Sequence, residues 1–206
     1  FWKRANLLRS LDRVLILTHV RPDGDTVGCA AALCAGLRSL GKTAYLLPNP
    51  GLTDTTAPYF APYAAPAEFV PDHVVSTDIA TVGLFPDNAL PYADRWIWPL
   101  TTTLLYAFRQ SNIVRPEAAA CGELIYDLLA ALGPITAEMA LPLYVAVSTD
   151  TGCFAYANTT ADTHAVAAAL LRTGIDYRAV TKVFFRTKSR KRMQLEAAIL
   201  STCEFY

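Results

Sequence analysis

One stretch, LILTHVRPDGDTVG over Leu15–Gly28, restricts the fold more than any other part of the chain. The apolar run Val14–Leu17 reads as a buried strand. It stops at Thr18 and His19. Pro22, Asp23, Gly24 and Asp25 follow, and a helix of small residues opens at about Thr26. A histidine and two carboxylates therefore crowd the carboxyl end of a strand, where open α/β sheets build their sites. Gly24 lets the backbone turn tightly between the two acids. Imidazole and carboxylates together suit Mn²⁺ or a similar divalent ion. A Pro-Asp-Gly sequence is also an ordinary turn, and this stretch alone leaves both readings open.

The 206 residues suit one domain and a short remnant. Hydrophobic residues make up 53%, enough for a sizeable core. Lys and Arg (18) balance Asp and Glu (18), so nothing predicts a broad electrostatic grip on long nucleic acid, although a local basic patch is compatible. The five cysteines form no CxxC pair. Cys29 and Cys34 read as small buried residues of an alanine-rich helix, and reduced thiols of a cytoplasmic protein are expected. The opening FWKRANLLRSLDR reads as an amphipathic helix and not as a signal peptide. No apolar run approaches the ~18 residues of a membrane span, so no membrane partner is expected.

The rest of the chain alternates strands and helices. Residues 2–11 read as a helix, 14–18 as the first strand, and 26–40 as a helix that Gly41 ends. Thr43–Leu47 is a second strand, followed by a Pro/Gly/Thr-rich loop. Val74–Ser76 is a third strand, delivering Thr77 and Asp78 at its carboxyl end. Pro116 is expected to open a helix, PEAAACGELIYDLLAAL, which Gly133 and Pro134 break. Ile135–Ser148 reads as another helix, ending at Thr149, Asp150, Thr151 and Gly152. Phe154–Asn158 reads as a short strand or turn. Thr160 or Asp162 caps a helix to about Leu171, and a last charged helix is expected over Val183–Ser201. This alternation predicts an α/β fold: a doubly wound, mainly parallel sheet flanked by helices.

HVRPDGDTVG resembles the first motif of the DHH phosphoesterase family. Asp78 in VVSTDIA fits the second motif, and STDTGCFAYANTT (148–160) fits the fourth. The Pro-Asp-Gly-Asp form with Thr-Asp-Thr-Gly most resembles the branch of stand-alone nano-RNase and pAp phosphatases. The resemblance covers residues 5–185, and its three motifs stand in the family's order. It implies two metal ions, normally Mn²⁺, with Mg²⁺ or Co²⁺ as substitutes. His19 and Asp23 would hold one ion, Asp25 and Asp150 the other, and Asp78 would bridge them. Asp78 and Asp25 are the implied catalytic carboxylates. Two ions so placed clamp a phosphate during in-line attack. Each acid also has a plain alternative: Asp78 as a strand-end acid, Asp150 as a turn acid before Gly152.

The family's third motif, Asp-His-His, is missing. The three histidines are His19, His73 and His164, and none lies between Asp78 and Pro116. His73 and His164 read as surface or structural residues. In the expected place stands DRWIWPLTTTLLYAFRQ (94–110), which looks unlike a strand followed by that motif. The genetic code offers a reading. Let Trp96–Thr103 be encoded TGG ATC TGG CCA TTG ACC ACC ACC, and place one G in front. The regrouped codons, GTG GAT CTG GCC ATT GAC CAC CAC, give Val-Asp-Leu-Ala-Ile-Asp-His-His. The segment thus reads as a lost base, with the frame regained before about Ser111; the alternative is a degenerate paralogue. In the family, the first histidine of that motif binds a metal and the second contacts phosphate. Thr101, Thr102 and Thr103 are poor replacements.

The resemblance also sets the expected domain plan. Residues 1–185 would be the catalytic domain, and 186–206 a linker helix to a glycine-rich, substrate-binding domain that is absent. Lys188, Arg190, Lys191 and Arg192 read either as a phosphate-steering patch or as a solvated helix face. Phe184, Phe185 and the linker suggest a homodimer. Two functions follow. One is a metal-dependent phosphoesterase hydrolysing short oligoribonucleotides or 3′-phosphoadenosine 5′-phosphate (pAp). The other is a non-catalytic remnant that binds nucleotide or a partner.

Overall fold

The computed structural model describes residues 2–101 and 113–204. Helix α1 (Trp2–Ser10) leads into β1 (Val14–Leu17), whose four residues are all buried. Helix α2 (Gly24–Ser39) follows, then β2 (Ala44–Leu46) and the short α3 (Ala57–Phe60). β3 (His73–Thr77) precedes a run of 3₁₀ turns, β4 (Trp96–Thr101) and β5 (Ile113–Val114). Helices α4 (Cys121–Ala130), α5 (Ala137–Asp150) and α6 (Ala161–Leu171) complete the body. α7 (Tyr177–Thr181) runs into a π-helical turn, Lys182–Arg186, and α8 (Arg190–Leu200) ends the described chain.

The strands form one sheet in the order β2-β1-β3-β4-β5, with every pair parallel. This is the flavodoxin-like winding, in which the strand order reverses between β1 and β3. The crevice above that switch point is where such sheets hold ligands. The four fully buried residues of β1 follow from its position inside the sheet, with a strand on either side. The larger core lies on the α2–α4–α5 side and contains Leu33, Leu37, Leu124, Leu143 and Val147. A smaller one on the other side gathers Leu15, Leu17, Val74, Ile79 and Phe85.

Several expected boundaries move. Pro116 does not open a helix: residues 115–120 form turns, and α4 starts at Cys121. The segment at 94–110, which reads as unlike a strand followed by the third motif, contains strand β4 over Trp96–Thr101. The backbone of Leu100 pairs with Thr77 and that of Pro99 with Ser76, after a register shift between Val74 and Val75. The expected single helix over 183–201 is broken at Thr187–Ser189. There the chain turns extended, and Ser189 caps α8 by accepting from the Arg192 amide at 3.2 Å. Phe154–Asn158 is turn and not strand. Thr160 does cap α6, within a reciprocal capping box to Thr163. All five cysteines are free thiols, with Cys29, Cys34 and Cys121 buried. No helix among the described residues is long and apolar enough to cross a membrane.

Candidate metal centre

The site grows out of the turn between β1 and α2. Asp23 caps α2, its Oδ1 accepting from the Thr26 amide at 3.0 Å. That satisfies one orphan donor of the helix and fixes the carboxylate at the positive end of its dipole. The other oxygen, Oδ2, is left facing His19 Nε2 at 3.6 Å. His19 is held from behind: Asn49 Nδ2 donates to the His19 carbonyl at 2.8 Å and to Thr18 Oγ1 at 2.9 Å. Gly24 is obligatory, because a Cβ there would stand 2.4 Å from the Thr149 side chain. The tight turn and the end of α5 can approach only without a side chain at residue 24.

β3 brings the third group. The Thr26 and Thr77 hydroxyls donate reciprocally to each other's carbonyls, at 3.0 and 3.2 Å. This pair ties the end of β3 to the start of α2. The next residue, Asp78, is left-handed at φ +55°. Its short polar side chain makes that conformation tolerable, and its Oδ2 lies 3.6 Å from His19 Nε2. One ligand atom from each of His19, Asp23 and Asp78 lies within 4.8 Å of the others. The donor set, one imidazole and two carboxylates that open toward solvent, fits a hard or borderline divalent cation.

Asp25 and Asp150 form a neighbouring pair rather than members of that trio. Asp25 is wholly buried. Its Oδ2 accepts from the Cys121 amide at 2.8 Å, and its Oδ1 from the Gly122 amide at 3.0 Å and from Cys29 Sγ at 3.2 Å. The carboxylate therefore sits on the amino end of α4, with a lone pair to spare on Oδ2. Asp150, the last residue of α5, stands close enough to Asp25 for its charge to act on that carboxyl. Its carbonyl accepts from Asn158 Nδ2 at 3.1 Å.

Crowding so many acids shifts their protonation. Burial first, then the charge of Asp150, pushes Asp25 well above the ordinary carboxylate range. Burial and the charge of Asp23 push Asp78 up to about 7 and Asp150 up to about 6. For His19, burial works against the charged form. The hydrogen bond and charge of Asp23 and the charge of Asp78 outweigh it, and the imidazole titrates above its usual value. For Asp23 too, burial acts against charge, but the bonds to His19 and to the Thr26 amide win and lower it. A buried cluster of mutually repelling carboxylates is one that a divalent ion relieves.

The structure thus brings His19, Asp23 and Asp78 together and sets Asp25 and Asp150 beside them. Sequence reasoning misses their supports: Asn49, Cys29, the Thr26–Thr77 pair and the amino end of α4. Cys29 alone carries a signal, standing four residues after Asp25 on one helix face. Of the third motif, β4 carries the backbone of Thr101 one step past the Leu100–Thr77 pair. Thr102 and Thr103 lie outside the described residues. His73 opens β3, and His164 stacks on Phe154 in α6, with centroids 5.4 Å apart. Neither joins the cluster.

No family model matches the chain. It is 32% identical over 219 residues to the bifunctional oligoribonuclease and PAP phosphatase NrnA of Thermus thermophilus, across 100% of this chain and 65% of that protein. The crystal structure of an exopolyphosphatase-related protein from Bacteroides fragilis superposes with a TM-score of 0.86 at 23% identity, covering 99% of this chain and 65% of that one. Exonuclease RecJ bound to manganese superposes with a TM-score of 0.54 at 17% identity, over 90% of this chain and 54% of that one. At such identities the two solved structures show a shared fold. The chain spans just under two thirds of the length of the Thermus and Bacteroides proteins. In its three motifs and in its likeness to the Thermus protein, the chain is similar to the DHH family of phosphoesterases, and the solved structures share its fold.

Proposed function

We propose that this chain carries the metal-binding half of a phosphoesterase that hydrolyses short oligoribonucleotides, pAp or both. The observation that carries the reading is the convergence of His19, Asp23 and Asp78 at the carboxyl ends of β1 and β3, with Asp25 and Asp150 alongside. The name of the Thermus relative supports the substrate class. In this reading, His19 and Asp23 hold one Mn²⁺, Asp25 and Asp150 a second, and Asp78 both. Ions bound there would supply Lewis-acid polarisation of the phosphoryl group and a nucleophile available at neutral pH. The chain's own part is positioning. Asn49 orients His19 from its carbonyl side, the α2 cap fixes Asp23, and the α4 amides fix Asp25. Residues 1–185 form the catalytic domain, and 186–206 lead to a substrate-binding domain. The protein acts in the cytoplasm, and Phe184, Phe185 and the linker favour a homodimer.

A second reading rests on one observation: no histidine stands between Asp78 and Pro116. The threonines at 101–103 offer neither charge nor imidazole, so the chain as written hydrolyses much more slowly than one with Asp-His-His restored. In the extreme it is a remnant that binds nucleotide or a partner without turnover. The strand at Trp96–Thr101 favours a lost base over true divergence. It runs where a strand leading into the motif would run, yet it carries Pro99, which has no N–H to donate, opposite Ser76 of β3.

The test is Mn²⁺-dependent release of mononucleotide from a short RNA, and of phosphate from pAp. It compares the chain as written with one re-read in the restored frame. Turnover confined to the restored chain supports both the function and the frame reading. Equal rates would refute the role given to the missing pair, and inactivity of both would favour the binding remnant. Sequencing the DNA over codons 96–103 decides the lost base directly: codons that do not regroup to Asp-His-His sink it.

A further inference from the structure

A groove of about 420 Å³ opens on α7 and the π turn after it, lined by Tyr177, Arg178, Thr181, Lys182 and Arg186. Its three cations are four residues apart and rise along α7 and the π turn, the first step spanning about 6 Å. No acid lines the groove. Asp176 acts on Arg178 through its charge, and its Oδ1 also caps α7, accepting from the Ala179 amide at 3.2 Å. Among the described residues neither Lys182 nor Arg186 enters an ion pair. The basic run on α8 differs: Lys188 and Arg192 both close on Glu196, at 2.6 and 3.0 Å. In a chain with as many acids as bases, three cations in one groove, with only Asp176 acting on Arg178, form a focused positive field.

The groove also has an aromatic wall. Tyr177 is 38% exposed, and the Arg178 guanidinium stands 6.0 Å from its ring centroid. Its position relates it to the metal centre. The Tyr177 ring lies 6.1 Å from that of Tyr144 on α5, and α5 ends at Asp150, about 9 Å further along its axis at 1.5 Å per residue. A ladder of cations beside a half-exposed ring matches the chemistry of single-stranded nucleic acid, with phosphates on the cations and a base stacked on the ring.

We infer that Arg178, Lys182 and Arg186 with Tyr177 form a subsite for single-stranded nucleic acid, gripping phosphates away from the metal centre. This deepens the proposed function and rests on it for the substrate, but binding in the groove requires no metal. The experiment titrates the whole chain in EDTA against a labelled oligoadenylate of about twelve nucleotides, as RNA and as DNA, by fluorescence anisotropy. Salt is varied over about 50–200 mM. Three phosphate contacts predict a slope of about −2 in log K against log salt, at about −0.7 for each. Replacing Arg178, Lys182 and Arg186 together by Gln should weaken binding at least about tenfold and flatten the slope. Tyr177→Ala should weaken it about fivefold or more with the slope kept. Arg190→Gln with Lys191→Gln, on α8, should change little, and circular dichroism checks that each variant folds.

Equal loss in the α8 control, or no binding by the parent chain, overturns the inference. So does preferential capture of phosphatidylserine vesicles over the oligonucleotide. A parallel Mn²⁺ titration separates the two ideas. Failure of the oligonucleotide with Mn²⁺ binding intact removes the groove alone. Oligonucleotide binding without Mn²⁺ binding removes the metal centre and leaves the groove.

Discussion

Asp78 combines a left-handed backbone, contact with the His19 imidazole and a carboxyl pushed up to about 7 by burial and by Asp23. These features make the metal-free site a source of instability. Between the ordinary carboxylate value and about 7, folded Asp78 keeps a proton that the unfolded chain has lost. Asp150 does the same up to about 6. The folded state then binds more protons than the unfolded one, and stability falls as pH rises through that window. Raised His19 acts in the same sense at higher pH, because the stability from its charged form is lost as pH climbs through its folded pKa. Lowered Asp23 acts oppositely, but only as pH falls below the usual carboxylate value. Denaturant midpoints of the metal-free protein should therefore decline from about pH 4 to about pH 7, and Asp78→Asn should flatten the decline. A midpoint that rises over this range would contradict the proton balance assigned to Asp78 and Asp150.

Helices α2 and α5 meet through small residues. A Cβ at Gly28 would stand 2.3 Å from the Pro142 carbonyl oxygen. Alanine is the better helix former by about 1 kcal/mol, but a clash with backbone cannot be relieved by a rotamer change. Gly28→Ala should destabilise by roughly 1–3 kcal/mol in chemical denaturation, and a stabilised variant would show that the two helices can part. β4 is an element at odds with its own sequence, since Pro99, paired with Ser76 of β3, brings no N–H to the ladder. The restored reading has no proline there, and the restored protein should melt higher. This conflict also explains why β4 is illegible in the sequence. β1, β2 and β3 are readable because their apolar runs are short, pure and bounded by turn residues. The late helix reads as unbroken because Thr187–Ser189 carries no proline or glycine to mark the break, which only the Ser189 cap reveals.

At the scale of the molecule, the strand order brings the ends of β1 and β3 side by side, and this juxtaposition makes a site from residues 59 positions apart, His19 and Asp78. His19, Asp23 and Asp78 are legible as candidate site residues because their motifs mark them, and the structure brings their ligand atoms within 4.8 Å of one another. The embedding of Asp25 in the α4 amino end is not, since it depends on a contact with Gly122 across 97 residues. α8 stands apart: none of its residues is buried, and Met193, Leu195, Ile199 and Leu200 are each more than half exposed. Removing residues 188–206 should leave the melting temperature within a few degrees, because substitutions and losses at such exposed positions stay near about 0.5 kcal/mol. A collapse of the fold would mean that α8 packs on the body.

The most direct test of the metal centre is a Mn²⁺ titration followed by thermal melting of the parent chain and of Asp78→Asn. At roughly a hundredfold excess over the dissociation constant, binding adds about 2.7 kcal/mol, a rise of roughly 5–10 °C in Tm for a chain of this size. The parent should show that rise, and Asp78→Asn little or none of it. A parent chain that Mn²⁺ leaves unmoved, or a variant that gains as much as the parent, would contradict a metal centre built on His19, Asp23 and Asp78.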